Sequence, residues 1–573
     1  MIIMSAPPSS KNKNAYILII SLLTLSVFLS LYTFRILDDN RLTSWKWVFI
    51  GLDISKIVLI LVTGMLASYA LLRIPFPKQY SSVLLFVLSF GLGAVLWREP
   101  EVIVDISRYF TQAKHLELYG IKYFITQWGR DINIWTDLPI MSFFYGLIFK
   151  FFGESRIYIQ VFTTLLFSMT VVLTCLIGKT LWNESLGFYA GLMLLGMPYL
   201  FTQVPLMLVD VPVMFFLTLV IFAFIKAMER GGANMILFAS VSIFLAFFSK
   251  YSAWLMLSVT GVVFFVYLVS QSTENPGVFR LAMNRDVLYR GLLVALVSSI
   301  FIGAVVLYKF DVISEQIIFL RKYQMPGLKR WGESFLSTFC YQVHPFITIA
   351  ALYSVYAALR KKDLKYLIIS WLLLLVVLLQ IRRSRYVMVV FPMLALMASY
   401  GLHCITDRQV KRFIASCVLV SSIVIAVFVF LPSLQRMSAM NMKNAGLFLD
   451  TLDAENIEVF TLPQKRTAVN PVVAVPILDY FTDKNIFYDY KKPILEEWVK
   501  TSSLRFTWEY EVPEYYVPAD KKNFIADAVV VISNRADPVL PDNVRIKTEG
   551  RSIVAAFTYR GVFRYKPIVT IYK

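Results

Sequence analysis

The chain has 573 residues, of which 58% are hydrophobic and 16% are charged, and its formal net charge is +19. A soluble globular protein is about 45–50% apolar and about 25% charged, so this composition excludes an ordinary soluble fold. Much of the basic charge falls in short loops between long apolar blocks, where membrane topology explains it and nucleic-acid binding is not needed.

The apolar blocks predict a polytopic α-helical membrane protein. More than ten of them approach the length of about 20 residues that crosses a bilayer as a helix. Buried core helices explain one such block but not a long series of them. We place about thirteen transmembrane helices near 16–34, 54–72, 81–97, 157–178, 186–203, 208–226, 235–249, 252–270, 290–308, 343–359, 365–381, 386–405 and 412–432. Residues 1–80 form an N-terminal addition to a transmembrane module that spans 81–434.

The distribution of lysine and arginine predicts the orientation. Short cytoplasmic loops carry an excess of these residues, and with the N-terminus inside, the inner loops contain Lys179, Lys226, Arg230, Arg360, Lys361 and Lys362. We therefore expect a multi-pass protein of the cell membrane with a cytoplasmic N-terminus. The longer segments 98–156, 309–342 and 435–573 then lie outside the cytoplasm.

The first outer segment contains a candidate general base. Asp105 stands in VIVDISRYF just beyond the third crossing, where a half-hydrated carboxylate is suited to accept a proton. The alternative is a solvated helix face, which the spacing alone favours. Further along, residues 139–152 read PIMSFFYGLIFKFF. They are apolar but short, so we interpret them as an interfacial helix rather than as a short crossing.

Two charged residues stand in or beside the later crossings. Asp210 occurs in LMLVDVPVMFF, and an acid near the membrane indicates function by default. An N-cap is the alternative interpretation, since Asp followed by Val-Pro is also a good helix start. Lys250 occurs in FLAFFSKYSAW; it is placed to bind a phosphate or to pair with Asp210, unless it only extends toward the headgroups.

Basic residues recur in the later outer regions. The segment 309–342 carries Arg321 and Lys322, and QIRRSRYVMVVFP carries Arg382, Arg383, Arg385 and Tyr386. Arginine on the outer side runs against the usual charge distribution. Because guanidinium groups bind phosphate well, these residues indicate a phosphate site, with anchoring to anionic lipid as the alternative.

The last region, 435–573, predicts a small α/β domain. Charged residues become frequent, and short β-rich runs appear, namely IEVFTL, AVVVIS and PIVTIYK. The four cysteines show no paired spacing and the three histidines are scattered. A disulfide framework, a zinc site or another metal cluster is therefore not expected.

The order of these motifs resembles the GT-C superfamily of polyprenyl-phosphate-sugar-dependent glycosyltransferases. The likeness covers roughly 81–405 and is nearest to the branch of protein O-mannosyltransferases and the lipid A aminoarabinose transferase. Its landmarks are Asp105 to Tyr109, Pro139 to Gly153, Asp210-Val211-Pro212, Ser249-Lys250-Tyr251, and Arg385-Tyr386 with Pro392. The resemblance implies a GT-C-like transmembrane catalytic module with outer loops 98–156 and 309–342, followed by an extracytoplasmic α/β domain.

The resemblance also implies roles for individual residues. Asp105 would act as the base on the acceptor hydroxyl, and Asp210 would assist it. Sugar-stacking side chains would come from the first outer loop, and cationic ones would bind the carrier phosphate and offset the charge of the leaving group. The substrate-binding set is Arg108, Tyr109, Lys250, Arg321, Lys322, Arg382, Arg385 and Tyr386, and the aromatic candidates are Tyr109, Tyr123, Trp128 and Trp135.

The implied activity is an inverting transfer of a sugar from a polyprenyl-phosphate donor to a protein, lipid or glycan acceptor on the outer face of the membrane. No cofactor or divalent metal is expected, because Arg and Lys can match a monophosphate leaving group. Two positions depart from the family pattern. Ile106 replaces an acidic residue, and Asp137 stands before Leu138-Pro139 where a basic residue is common. These departures leave the sugar and the acceptor class open.

Three other functions remain as alternatives. A transporter or flippase of lipid-linked sugars would also use membrane acids and cations, but it predicts two related halves with broken helices, which the sequence does not show. A glycan polymerase or ligase would keep its arginines in a late outer loop and would not need Asp105. A scaffold without catalytic activity would leave the outer charges unexplained.

Overall fold

The computed structural model describes residues 10–72, 80–135, 137–270, 284–324, 332–463, 469–489, 499, 505–519, 524–561 and 566–573. The predicted fold class is confirmed, since the chain is mostly helical and has one small sheet toward its C-terminus. Within those ranges, nine helical segments are long and apolar enough to cross a membrane. All thirteen predicted segments contain helix, but four of them, at 186–203, 235–249, 343–359 and 365–381, are not among these nine. The number of crossings therefore stays a prediction.

The helices before the sheet follow the predicted apolar segments closely. In chain order they are α1 Ser10–Thr33, α2 Trp45–Val48, α3 Ile54–Leu71, α4 Ser81–Val95, α5 Ile106–Gln127, α6 Pro139–Phe152, α7 Arg156–Leu181, α8 Glu184–Leu195, α9 Pro198–Phe201, α10 Asp210–Arg230, α11 Ala233–Phe247, α12 Tyr251–Met256, α13 Val259–Ser270, α14 Arg285–Tyr308, α15 Phe310–Phe319, α16 Pro345–Lys361, α17 Tyr366–Leu378, α18 Ser384–Val387, α19 Phe391–His403, α20 Arg408–Ile425, α21 Leu431–Leu434 and α22 Ala439–Asp450. Long helices at the outside of this bundle, such as α1 and α14, expose much of their apolar surface, as lipid-facing helices do.

Segment 98–156 contains two long helices, α5 and α6, that lie against each other. Helix α6 buries Met141, Tyr145 and Phe149, which are four residues apart and therefore share one face. Gly146 allows the close approach of α5, because a Cβ at this position would lie 2.6 Å from the Cβ of Leu116. The predicted helix at 139–152 is thus present, and its location at the membrane interface stays a prediction.

The predicted C-terminal α/β domain contains a five-stranded mixed sheet in the order β2-β1-β3-β5-β4. Its strands are β1 Asn456–Thr461, β2 Asn485–Phe487, β3 Ala528–Ser533, β4 Ile553–Phe557 and β5 Ile568–Tyr572, with helices α23 Ala474–Asp479 and α24 Asp542–Thr548 between them. Strands β1, β2 and β3 are parallel, whereas β5 runs antiparallel to β3 and β4. The three β-rich runs of the sequence form β1, β3 and β5.

A buried ion pair attaches this domain to α5. The Lys114 ammonium lies 2.7 Å from a carboxylate oxygen of Asp479 and 3.2 Å from Glu154. Tyr516 donates a 2.7 Å hydrogen bond to the same carboxylate. The two acids raise the pKa of Lys114 although burial alone would lower it, so the ammonium stays charged. The C-terminal domain is therefore fixed to the helix that begins beside Asp105.

Candidate functional site

Asp105 lies at the start of α5 and does not belong to a solvated face. Its side chain is only 14% exposed and makes no capping hydrogen bond to the helix. The carboxylate instead accepts a 2.6 Å hydrogen bond from Nη1 of Arg385 and lies 3.8 Å from Nη2 of Arg108. Burial by itself would raise the pKa of Asp105, but the nearby guanidinium groups hold it well below its ordinary value. The carboxylate is therefore ionised.

Asp210 is the first residue of α10, and the N-cap position before it is occupied by Val209. Its carboxylate is almost fully buried and accepts hydrogen bonds from Nζ of Lys250 at 2.6 Å and from Nε of Arg385. Asp210 is therefore not the N-cap of this helix, and its carboxylate is used in ion pairs; its functional role stays a prediction. An unpaired carboxylate at this depth would be costly, and two cations offset that cost.

Lys250 pairs with Asp210, as one of the two sequence interpretations predicted. Its side chain is 20% exposed, and the ammonium lies 4.7 Å from the ring centre of Tyr386. Nη1 of Arg383 donates a 2.9 Å hydrogen bond to the hydroxyl of the same tyrosine. Tyr386 thus contacts two cations, Lys250 and Arg383, and the first of these is paired with Asp210.

Arg385 joins the two acids. Its guanidinium donates through Nη1 to Asp105 and through Nε to Asp210, which are 105 residues apart in the sequence. A planar fork of fixed N–H donors suits such a bridge, and a lysine ammonium does not reproduce it. Asp105, Asp210, Lys250 and Arg385 therefore form one cluster in the structure.

Three other predicted binding residues, Arg382, Arg321 and Lys322, lie at exposed positions. Arg382 is exposed and donates to the side chain of Gln380 at 2.8 Å. Arg321 and Lys322 are exposed on the turn after α15. Residues 325–331 of the same segment lie outside the described residues. A role of these three side chains in binding stays a prediction.

Asp137 extends the cluster, although the sequence indicated it only as a departure from the family pattern. One of its oxygens lies 3.5 Å from Arg108 and accepts a 3.2 Å hydrogen bond from Tyr109. Burial raises the pKa of Asp137, and Arg108 offsets this effect only in part. A local signal was present in the sequence, because Asp137-Leu138-Pro139 repeats the Asp-x-Pro pattern of Asp210-Val211-Pro212.

Among the described residues, buried polar atoms without hydrogen-bond partners occur on Asp137, on Trp135 two residues before it, and on Tyr251, which the charge of Asp137 influences. These atoms are the second carboxylate oxygen of Asp137, the indole nitrogen of Trp135 and the hydroxyl of Tyr251. Trp135 also has a φ of +48°, which a bulky residue adopts only when its surroundings require it. Buried polar groups are normally paired, and this set offers hydrogen-bond donors and an acceptor suited to a polar ligand.

The C-terminal domain reaches the same place. The ring of Tyr510 stacks on Trp135 with 6.2 Å between the ring centres, and the side-chain amide of Asn133 donates to the backbone oxygen of Glu509 at 3.3 Å. Of the other aromatic candidates, Tyr109 contacts the cluster through Asp137. Tyr123 stacks on His115, and Trp128 is buried. Residues of the C-terminal domain therefore contact the segment that leads to Asp137.

No group of three or more His, Cys, Asp or Glu side chains placed to hold a metal ion occurs among the described residues. The expectation of a metal-independent reaction is not tested by this arrangement and stays a prediction.

Comparisons with known proteins agree with the predicted resemblance. Residues 137–303 match the family model described as dolichyl-phosphate-mannose-protein mannosyltransferase. This segment contains Asp137, Asp210 and Lys250 but not Asp105 or Arg385. A search of curated protein sequences found no match.

Among solved structures, the chain is similar to ArnT from Cupriavidus metallidurans. The form bound to undecaprenyl phosphate aligns with a TM-score of 0.54 at 13% identity, covering 85% of this chain and 97% of ArnT. The apo form gives 0.52 at 14% identity over the same shares. The archaeal oligosaccharyltransferase AglB from Archaeoglobus fulgidus gives 0.44 at 12% identity, covering 80% of this chain and 70% of AglB. The ArnT match and the family model confirm the resemblance to the GT-C superfamily and its fold.

Proposed function

We propose that this protein transfers a sugar from a polyprenyl-phosphate donor to an acceptor at the outer face of the membrane. The observation that carries the proposal is the bridge that Arg385 makes between Asp105 and Asp210, with Lys250 beside it. It places a proton acceptor and cations suited to phosphate within one cluster. The similar ArnT structure contains undecaprenyl phosphate, a ligand of this chemical class.

Lys250 and Arg385 are the groups best placed to hold the carrier phosphate. Both are paired with acids in the structure, and Lys250 is the more exposed of the two. An incoming phosphate would compete with Asp210 and Asp105 for these cations. As the glycosidic C–O bond breaks, the phosphate oxygen takes the electron pair, and the same cations stabilise the charge that develops on it.

Asp105 is proposed as the general base. The acceptor oxygen attacks the anomeric carbon from the face opposite to the phosphate, so the configuration inverts, and the acceptor proton passes to the carboxylate. In the free protein the low pKa of Asp105 makes it a weak base. When the phosphate draws Arg385 away, the carboxylate loses a stabilising cation and becomes more basic, closer to what proton transfer requires. Binding of the donor would thereby activate the base.

The groups around Asp137 are proposed to bind the sugar. A carboxylate accepts hydrogen bonds from sugar hydroxyls, an indole N–H donates to them, and an aromatic face packs on the ring. Asp137, Trp135 and Tyr251 offer these functions, and their free polar atoms lie buried beside the cluster. Because Tyr510 stacks on Trp135, the C-terminal domain would help to select the sugar or the acceptor.

Asp137→Asn is expected to weaken binding of the lipid-linked sugar about tenfold, because a charged hydrogen bond to a hydroxyl is lost. Binding of undecaprenyl phosphate alone should stay near the wild-type value, since this ligand has no sugar. Titration of the purified protein with both ligands measures the difference. Asp131→Asn, at an exposed position of the same segment, is the matched control. An equal loss for both ligands would contradict the assignment.

The proposed activity is tested by incubating the purified protein with labelled polyprenyl-phosphate sugars and with peptide, lipid or glycan acceptors. Transfer predicts that the label leaves the carrier lipid and appears on one acceptor class. A transporter or flippase would leave the label on the lipid under all conditions. A polymerase or ligase would retain activity in Asp105→Asn, whereas the proposed transferase would lose it.

A further inference from the structure

The N-terminal addition contains a buried acid that the proposed reaction does not use. Asp38 lies in the loop between α1 and α2 and is 1% exposed. Its carboxylate accepts backbone hydrogen bonds from Asn40 at 3.0 Å and from Trp45 at 2.7 Å. These bonds fold the loop around the carboxylate, so its position is well defined. This part of the chain precedes the segment that matches the family model.

The same carboxylate holds a distant segment. Ser337 donates to it at 2.5 Å and the side-chain amide of Gln342 at 3.1 Å. The hydroxyl of Thr43 donates to the oxygen of that amide at 2.7 Å. Tyr341 adds a 2.6 Å hydrogen bond to the backbone oxygen of Phe34. The helical turn Ser337–Gln342 is thus attached to the N-terminal loop at several points.

The turn and the preceding Glu333 also contact Ser384, the residue before Arg385. The hydroxyl of Thr338 lies 2.7 Å from that of Ser384, and the carboxylate of Glu333 accepts a 2.7 Å hydrogen bond from the Ser384 N–H. Both contacts are buried. A continuous set of side chains therefore runs from Asp38 through Ser337 and Thr338 to Ser384.

We propose that Asp38 is a positioning residue for Arg385 and acts through the turn Ser337–Gln342 and Ser384. Arg385 must direct two different N–H donors at two carboxylates. This geometry tolerates little displacement of the Arg385 backbone. Arg385 lies in the first turn of the helical stretch Ser384–His403, where the backbone N–H groups have no partner within the helix and depend on contacts from outside it. The contacts of Ser384 orient this turn, and the N-terminal loop holds the segment that makes them. This inference rests on the proposed function, since it assigns Arg385 a part in transfer.

Thr338 gives the most specific test, because Thr338→Val removes only the hydroxyl that meets Ser384, and Thr338→Ser retains it. We expect Thr338→Val and Asp38→Asn to lower kcat about ten- to a hundredfold, as small displacements of reacting groups do. Thr338→Ser should stay near wild type. Asp53→Asn is the control for the N-terminal addition, because Asp53 is an exposed cap of α3. Thermal unfolding of each variant shows whether the folded fraction is comparable.

A mutant cycle separates positioning from a general loss of stability. If Asp38 acts through Arg385, the losses in Asp38→Asn and Arg385→Lys will be less than multiplicative when combined. Fully multiplicative losses, or a folded Thr338→Val protein with wild-type kcat, would overturn the proposal.

Hydrogen exchange tests the same connection without any activity. The Ser384 amide should exchange at least about tenfold faster in Asp38→Asn, because its hydrogen bond to Glu333 is loosened. Asp53→Asn should leave it unchanged. If the wild-type protein transfers no sugar but this exchange still responds to Asp38, the proposed activity fails and the mechanical connection stands. Unchanged exchange in Asp38→Asn overturns the connection whatever the activity.

Discussion

Asp105→Asn is expected to lower kcat for sugar transfer by about a hundred- to ten-thousandfold, the range associated with loss of a general base. An asparagine amide has nearly the same shape and its oxygen still accepts a hydrogen bond from Arg385, but it cannot take the acceptor proton. Binding of undecaprenyl phosphate should persist, because the cations remain. Single-turnover transfer and equilibrium binding of the lipid, measured on the same preparation, separate the two effects.

The pH dependence of this loss provides a second check. The low pKa of Asp105 keeps the wild-type carboxylate ionised through the mildly acidic range. The ratio of wild-type to Asp105→Asn kcat/KM, which reports the protonation of the free enzyme, should therefore be constant from about pH 5.5 to about pH 8. Asp131→Asn should have the wild-type rate throughout. A wild-type kcat in Asp105→Asn would remove the proposed base and favour a polymerase or ligase.

Arg385→Lys is expected to lower kcat by about a hundred- to a thousandfold, comparable to loss of a preorganised group that stabilises the transition state. The charge is kept, but a single ammonium cannot reproduce two N–H donors directed from one plane at Asp105 and Asp210. Affinity for undecaprenyl phosphate should also fall, by about tenfold. Lysine is the suitable replacement, because a neutral residue would leave two buried acids with less compensation.

Arg382→Lys is the matched control for this change. Arg382 is only three residues away, but it is exposed and contacts Gln380. Because it lies outside the bridge, its replacement should lower kcat much less than Arg385→Lys does. If both lysine variants lose the same activity, the loss comes from replacing any arginine in this region and not from the bridge. If Arg385→Lys alone keeps full activity, the bridge is not part of catalysis.

Much of the fold could be predicted because it depends on local physical rules. A helix that crosses hydrocarbon must satisfy its backbone internally and present apolar side chains, so the blocks from 16–34 to 412–432 indicate helices directly. The β-rich runs of the tail indicated β1, β3 and β5 for a similar reason. The Asp-x-Pro motif at Asp210 indicated the start of α10.

The candidate site could be predicted only in part. Asp105, Asp210, Lys250 and Arg385 stood out as charges near the membrane, and the structure brings them together. Arg382 and Arg385 could not be separated, because three residues of spacing do not show which side chain turns inward at a helix start. Asp137 and Tyr251 were not predicted as members of the site, since a buried position is needed to make their missing partners informative.

Hydrophobicity and helix or strand preference act over a few neighbouring residues, so the apolar helices, the strands of the tail domain and the residue types available for chemistry can be predicted from local sequence. The pairing of the charges cannot, because it depends on packing between distant segments. Arg385 meets Asp105 across 280 positions of the chain, and Asp38 meets Gln342 across 304. Such pairings depend on how separate helices are rotated and packed against one another, and buried charges are stable only in the packing that pairs them.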